Sequence, residues 1–403
     1  MALLPVAEAL QQILAQASAL PAERVPITEA HRRVLAEDLR ALRSQPPADV
    51  SSMDGYAIRA EDVTSVPIDL KVAGEVAAGR PFDGAVKAGQ AVRIFTGGEV
   101  PAGADTIVVQ EQTRREGDSV IIAKLPEKGR HIRRAGLDFS EGETLLARGR
   151  LLTGRDISLA AAMNHPFLPV YRKPRIALLA TGDELVLPGR KPGPGQIVYS
   201  NGYSVAALAR QEGAEVTDLG IARDTVADTV KAIQDARMRR VDVLVTMGGA
   251  SVGDYDFVQQ ALTAEGMALS FWKIAMRPGR PLMHGRLGPI HVLGLPGNPV
   301  SAFVCAYLFL LPLLRTLTGR TDAIAQTDHA LLGSDLPEND EREDYLRAKL
   351  SRSSRGALVA TAFPVQDSSM TRFLAEADCL IVREAHAPKA LAGSPCAIMK
   401  LPL

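Results

Sequence analysis

A chain of 403 residues with 46% hydrophobic content is long enough for two to four domains with real cores. Lys+Arg and Asp+Glu balance at 46 each, so the basic excess of a nucleic-acid binder is missing and any anionic ligand must be met by local clusters. Cys305, Cys379 and Cys396 form no C-x-x-C pair and imply neither a zinc site nor a disulfide framework, which fits a reducing cytoplasm. The N-terminus lacks a basic n-region and carries Glu8, unlike a signal peptide. The longest apolar run, residues 300–314, contains Pro312 and falls short of the ~20 residues of a membrane span; a buried helix and no membrane partner are expected.

In chain order, residues 6–17 put Leu10, Ile13 and Leu14 on one helical face, and residues 27–39 predict a second helix with Thr28 as its N-cap. Residues 44–58, SQPPADVSSMDGYAI, read as an extended crossing loop in which Asp54-Gly55, taken alone, is a tight turn. Residues 70–112 and 120–123 carry short apolar alternations separated by glycines, one of them ending at Thr96-Gly97-Gly98, as in a small sheet or barrel. Arg130, His131, Arg133 and Arg134 read as a solvated basic surface, with Asp138 soon after. Residues 156–163 predict a helix that, with the N-terminal ones, makes a helical framework interrupted by the β-rich insertion.

From Lys173 the texture alternates. Residues 175–180 are an apolar strand ending in Thr181-Gly182-Asp183-Glu184. A helix capped at Ser200-Asn201, a strand over 215–221, a helix capped by Asp224, and apolar runs over 241–247, 271–276 and 290–295 follow, before the apolar helix from Val300. This is the pattern of a doubly wound, mostly parallel sheet. After Gly319, runs at 345–350, 357–363, 379–382 and 396–400 predict a C-terminal β domain.

Such a sheet gathers three loops at one edge: 181–184, 248–256 and 296–301. The central one follows VDVLVTM and reads Gly248-Gly249-Ala250-Ser251-Val252-Gly253-Asp254-Tyr255-Asp256. Its glycines permit close approach to an anion and its carboxylates suit a hard cation, which predicts a phosphate-plus-magnesium site. Gly249–Gly253 also matches the G-x-S-x-G nucleophile elbow, with His284 and His291 as bases, but two acids beside an oxyanion site oppose that chemistry. Lys273, Arg277 and Arg280, in a Pro-Gly loop, suit an oxyanion. Asp183 and Glu184 stand open as ligands or bases. Neither G-x-G-x-x-G nor G-x-x-x-x-G-K-[ST] occurs.

MDGYAI at 53–58, TGDEL at 181–185, GGASVGDYDF at 248–257, the basic Pro-Gly loop and GLPGNPVS at 294–301 stand in the order of a known family. The whole chain resembles MoeA, the molybdopterin molybdenumtransferases, relatives of the gephyrin E domain. The resemblance implies an elongated homodimer whose chain divides into a framework and dimerisation domain (1–43 and 141–172), a β-rich insertion (44–140), a molybdopterin-binding-like α/β domain (173–322) and a C-terminal β-barrel-like domain (323–403). It implies insertion of molybdate into adenylylated molybdopterin, with Mg2+ and release of AMP, in a cleft between the α/β domain of one subunit and the β insertion of the other. By position it assigns catalysis to Asp54, Thr96 and Asp138 of the facing wall and to Glu184 and Lys273, and gives Asp224 and Asp256 to the metal. It gives Gly248, Gly249, Ser251, Arg277, Arg280, Gly297, Asn298, Arg347 and Ser369 to the substrate. A molybdopterin adenylyltransferase is the partner it suggests. Two departures stand out: Arg277 and Arg280 where lysines are common, and Asp367 where glycine is common, beside Ser369. A CinA-like nucleotide hydrolase on the same α/β domain and a gephyrin-like scaffold are the alternatives.

Overall fold

The computed structural model describes residues 3–248 and 257–402. Its centre is a six-stranded sheet in the order Glu215–Ala222, Arg175–Thr181, Val243–Met247, Ile290–Leu295, Met283–Leu287, Ala268–Trp272. The first four strands are parallel; Met283–Leu287 runs antiparallel to both of its neighbours, so the edge strand Ala268–Trp272 points the same way as the first four. Val243–Met247 is buried along its whole length, as a central strand covered on both faces must be. Alternation sends Leu178 into the core on one face, with Phe309 and Leu313, and Leu179 into the core on the other, with Ile233 and Leu262.

Three local readings change. Lys273 adopts φ +71, which ends the strand at Trp272; the next two extended residues, Met276–Arg277, leave this sheet and pair with Glu343 and Asp344 of the C-terminal domain. The helix Val226–Met238 is capped by Thr225, whose hydroxyl accepts the Asp228 N–H at 3.1 Å, so Asp224 is free of the capping role. The apolar helix runs from Pro299 to Leu317 through Pro312 by inserting a π turn, Ala306–Leu310. A proline ring clashes with the carbonyl four residues earlier, and the wider turn relieves that clash. This helix is long and apolar enough to cross a membrane, but 83% of its apolar window is buried in the protein, where it covers the sheet.

The helix expected over 27–39 does not form. A single 3-10 turn, Ile27–Glu29, gives way at Arg32 (φ +61) to extended chain, with Val34 and Leu35 entering different small cores. The framework is therefore mostly paired strands: Ala22–Pro26 with Phe167–Tyr171, and Leu39–Arg40 with Thr144–Leu146. Its helix, Gly154–Ala162, starts where the Asp156 carboxylate accepts both the Thr153 N–H (2.8 Å) and hydroxyl (2.7 Å). The N-terminal helix Val6–Ala15 instead buries Val6, Ala9 and Ile13 in the α/β core.

The insertion holds a six-stranded sheet with a small core on each face. Asp54-Gly55 is not a tight turn: Gly55 opens the strand Gly55–Ile58, and the Val108 carbonyl occupies the space a Cβ would need. At the C-terminus, Asp328–Leu332, Glu343–Arg352, Leu358–Ala362, Cys379–Arg383 and Pro395–Lys400 close into a five-stranded barrel through pairing of the second strand with the fourth. Closure leaves no exposed edge inside the ring. The first of these strands and the short helix Thr371–Glu376 carry no strong sequence signal.

Candidate active site

The strand ends do converge. Thr181, Glu184, Met247, Gly248, Gly297 and Asn298 line one cavity of about 480 Å³ at the carboxyl edge of the sheet, together with Ser369 of the C-terminal domain. Gly248 has φ +93, and a Cβ there would stand 2.6 Å from the Thr181 carbonyl, so only glycine lets these two strand ends meet. Asn201, at the start of its helix, donates to the Gly297 carbonyl at 2.6 Å and fixes the third loop. Gly249, Ser251 and Asp256 lie outside the described residues.

Beside this edge, Asp183 and Asp224 hold each other. The Asp183 N–H donates to the Asp224 carboxylate at 3.2 Å, and the Asp224 N–H donates to the Asp183 carboxylate at 3.4 Å. Two carboxylates are thereby brought together at adjacent strand ends with lone pairs to spare. Among the described residues no cluster of three or more metal-ligating side chains occurs.

The C-terminal domain closes the cavity with the loop 365–370. Asn298 donates to the Ser368 hydroxyl at 2.8 Å, and the Val300 N–H donates to the Ser368 carbonyl at 3.1 Å. The loop is held from below by Arg347, which is 1% exposed. Its guanidinium donates to the Met370 (3.0 Å), Asp367 (2.9 Å) and Val365 (3.4 Å) carbonyls and to the Gln366 side chain (3.3 Å). Burial lowers its pKa, and the Asp367 carboxylate acts the other way. Ser369 lines the cavity but gives its hydroxyl (2.6 Å) and N–H (2.8 Å) to Asp367, whose pKa those bonds lower.

The basic loop lies apart from the cavity lining. Arg277 makes a two-pronged pair with Asp344 at 2.8 and 2.6 Å and reaches Asn339 at 3.2 Å, and these bonds raise its pKa. It ties the α/β unit to the barrel. Lys273 stands over the Trp272 ring at 4.3 Å. Arg280 is exposed, and its side chain has no hydrogen bond or ion pair among the described residues.

A second constellation sits on the insertion. Asp54 accepts the Thr96 N–H and hydroxyl, each at 2.8 Å, and these bonds lower its pKa. Arg93, packed over the Tyr56 and Phe95 rings at 5.1 and 4.9 Å, adds its field to Asp54. Asp138 borders a neighbouring cavity of about 520 Å³ with Gly97 and Arg133. Among the described residues, no hydrogen bond or ion pair joins 44–140 to 173–322.

His284 and His291 do not serve a hydrolase. They are 0% and 3% exposed, stacked on each other at 5.7 Å, and neither lines the strand-end cavity.

Three family models match in succession: the MoeA N-terminal region (domains I and II) over residues 4–164, the probable molybdopterin binding domain over 177–316, and the MoeA C-terminal region (domain IV) over 329–401. The molybdopterin molybdenumtransferase of Haemophilus influenzae is 34% identical over 378 residues, covering 93% of each chain. The chain belongs to the MoeA family. Its relatives include the Nostoc sp. molybdopterin molybdenumtransferase, 40% identical over 305 residues (74% of this chain and 70% of that one). The crystal structure of the molybdopterin biosynthesis MoeA protein from Pyrococcus horikoshii OT3 is similar along the chain, with TM-score 0.84, 27% identity, and coverage of 99% here and 100% there.

Within this MoeA fold, Glu184, Gly248, Gly297, Asn298 and Ser369 share one cavity, Asp224 stands beside its edge with Asp183, and Asp54 pairs with Thr96 on another module. Arg347 is not aimed at a ligand: its donors are committed to the loop that carries Ser369. Tyr199, Thr181 and Asn201, which also line the cavity, were not singled out as site residues by sequence. The signal available for them was their place at a strand end and at a helix start.

Proposed function

We propose that this chain transfers molybdenum from molybdate into adenylylated molybdopterin, with Mg2+ and with release of AMP. The observation that carries this reading is the meeting of three strand-end loops and the Ser369 loop around one cavity, beside the Asp183–Asp224 pair. The N-terminal and C-terminal family matches support it over a hydrolase built on the α/β unit alone.

The donor set fits Mg2+. This ion takes one or two carboxylates and completes its shell with water and substrate phosphate, so Asp224, with Asp183 beside it, suffices; Asp256, the other acid the resemblance assigns to the metal, lies outside the described residues. When bound it supplies charge neutralisation for phosphate oxygens. The chain's own residues do the rest. Glycines at 248 and 297 admit the substrate, Asn298 and Ser368 hold the cavity's far side, and Arg280 and Lys273 offer positive charge to an incoming oxyanion. Positioning and electrostatic stabilisation are then the source of rate.

The facing wall of Asp54, Thr96 and Asp138 would come from a second copy, making a homodimer the working unit. Among the described residues, the lack of bonds between the insertion and the α/β unit within one chain supports this. An adenylyltransferase that makes the substrate is the natural upstream partner. Three unpaired cysteines suit a cytoplasmic protein. The test is molybdate insertion into the adenylylated pterin by purified protein, with AMP measured as product. Mg2+-dependent AMP release that requires molybdate is expected; AMP release indifferent to molybdate would overturn the reading.

A further inference from the structure

The wall around Asp54 carries a cation that the sequence motifs leave without a task. Arg93 stands on the strand Gln90–Ile94, directly opposite Tyr56 of the strand Gly55–Ile58. Gly55–Ile58 is flanked on its other side by Thr106–Val109, and Gln110 follows that strand. The Arg93 guanidinium packs on the Tyr56 and Phe95 rings and reaches across Gly55–Ile58. One arm donates to the Gly55 carbonyl at 3.3 Å and the other to the Gln110 side-chain oxygen at 2.8 Å. Three neighbouring strands are thus tied together at the end where Asp54 enters the sheet.

Both anchors bear on Asp54. Gly55 is its chain neighbour, and the Gln110 N–H donates to the Asp54 carbonyl at 3.0 Å. The guanidinium therefore grips the residue after Asp54 and the residue that holds Asp54 by its backbone. A rigid planar fork can serve two divergent acceptors in this way, and the rings beside it restrict its rotation. Both acceptors are neutral, and among the described residues no carboxylate forms an ion pair with Arg93. Glu75, beside it in register on the next strand, is exposed and makes no bond to it. The charge is left for Asp54, whose pKa the Thr96 N–H and hydroxyl lower most and the Arg93 field lowers further. A half-buried arginine gains little stability from two such bonds once its rotamer entropy is counted, so this pose serves the geometry of the wall more than the fold.

We infer that Arg93 is a positioning residue of the facing wall, whose two arms hold Asp54 in place for the substrate seated in the opposite copy. It acts through Asp54 and does not itself touch substrate. The inference rests on the proposed dimeric site, in which Asp54 works on a substrate held by the other subunit.

The test reads amide hydrogen exchange by NMR on the full chain without substrate, and turnover separately. The Thr96 and Gln110 amides report on Asp54 because both donate to it. In Arg93→Met both should exchange about fivefold faster at pH 7, as the loss of one hydrogen bond allows, with the melting temperature little changed. Gln110→Ala removes one anchor at an exposed position and should reproduce the faster exchange at Thr96. In molybdate-dependent AMP release, Arg93→Met should lower kcat about tenfold and leave KM near wild type, as a misplaced Asp54 would. Wild-type exchange at Thr96 in either variant that folds would overturn the inference. A raised KM with unchanged kcat would also overturn it, by making Arg93 a substrate contact in its own right. If wild type releases no AMP, the proposed function falls, while exchange still decides whether Arg93 holds Asp54.

Discussion

The two constellations differ in how they are held. The cavity side is built from buried strand ends whose backbones touch, with Gly248 against Thr181 and Asn201 against Gly297. The insertion side is a surface pair, Asp54 on Thr96, at the rim of a sheet with its own small cores. One is a shaped hollow, the other a wall without an opposite face. The difference teaches why the proposed function needs a dimer: in that reading neither constellation is a site alone, and each supplies what the other lacks.

Substitutions can break or sharpen this contrast. The largest effect is expected at Asp224, where Asp224→Ala should lower molybdate-dependent AMP release by about a hundredfold or more, measured in steady state with melting temperature little changed. Wild-type turnover would remove the metal from this edge. Next, Arg347→Met should cost about 3 kcal/mol in denaturant unfolding, because four acceptor oxygens around the loop lose the buried guanidinium that donates to them. It should also loosen Ser369, raising KM. An unchanged unfolding midpoint would mean the guanidinium holds nothing.

Gly248→Ala should cost about 1–2 kcal/mol, since φ +93 is unfavourable for alanine and the added Cβ meets the Thr181 carbonyl. The halves should also part on acidification. His284 and His291 are pushed down to about 4 and about 3, mainly by burial and then by Arg286. Their unfolded pKa lies higher, so their neutral buried state is fully stabilising above pH ~6.5 and is lost as pH falls toward those values, by up to about 1.4 kcal/mol per pH unit per ring. Asp54 is also lowered, but its contribution is present above pH 3.8 and fades only below it. Hydrogen exchange at pH 7 and pH 5 should therefore show the α/β strands weakening before the insertion strands. The smallest effect is expected at Thr96→Val, a barely lowered melting temperature, through loss of one exposed bond to Asp54.

Much of this was legible in the sequence. The three loops were placed by strand-length apolar runs ending in glycine or acid, and the structure gathers their described parts at one edge. Local spacing failed where tertiary packing decided the outcome. Val34, Leu35 and Leu39 have helical spacing, yet extended chain buries them in two cores. Asp224 looked like a cap because the hydroxyl of Thr225, one residue later, does that work. Arg347 read as a clamp because sequence cannot tell a guanidinium facing a ligand from one facing carbonyls. The bond between Arg277 and Asp344 was equally invisible, since it joins residues 67 apart across two domains.

The central claim, that a complete site joins the cavity of one copy to the wall of another, is tested most directly by mixing two inactive variants, Asp54→Ala and Asp224→Ala, after subunit exchange. In a two-fold dimer with shared sites, random exchange yields half mixed dimers, each with one intact site, and about a quarter of wild-type AMP release should return. If each site were completed within a single chain, the mixture would remain inactive.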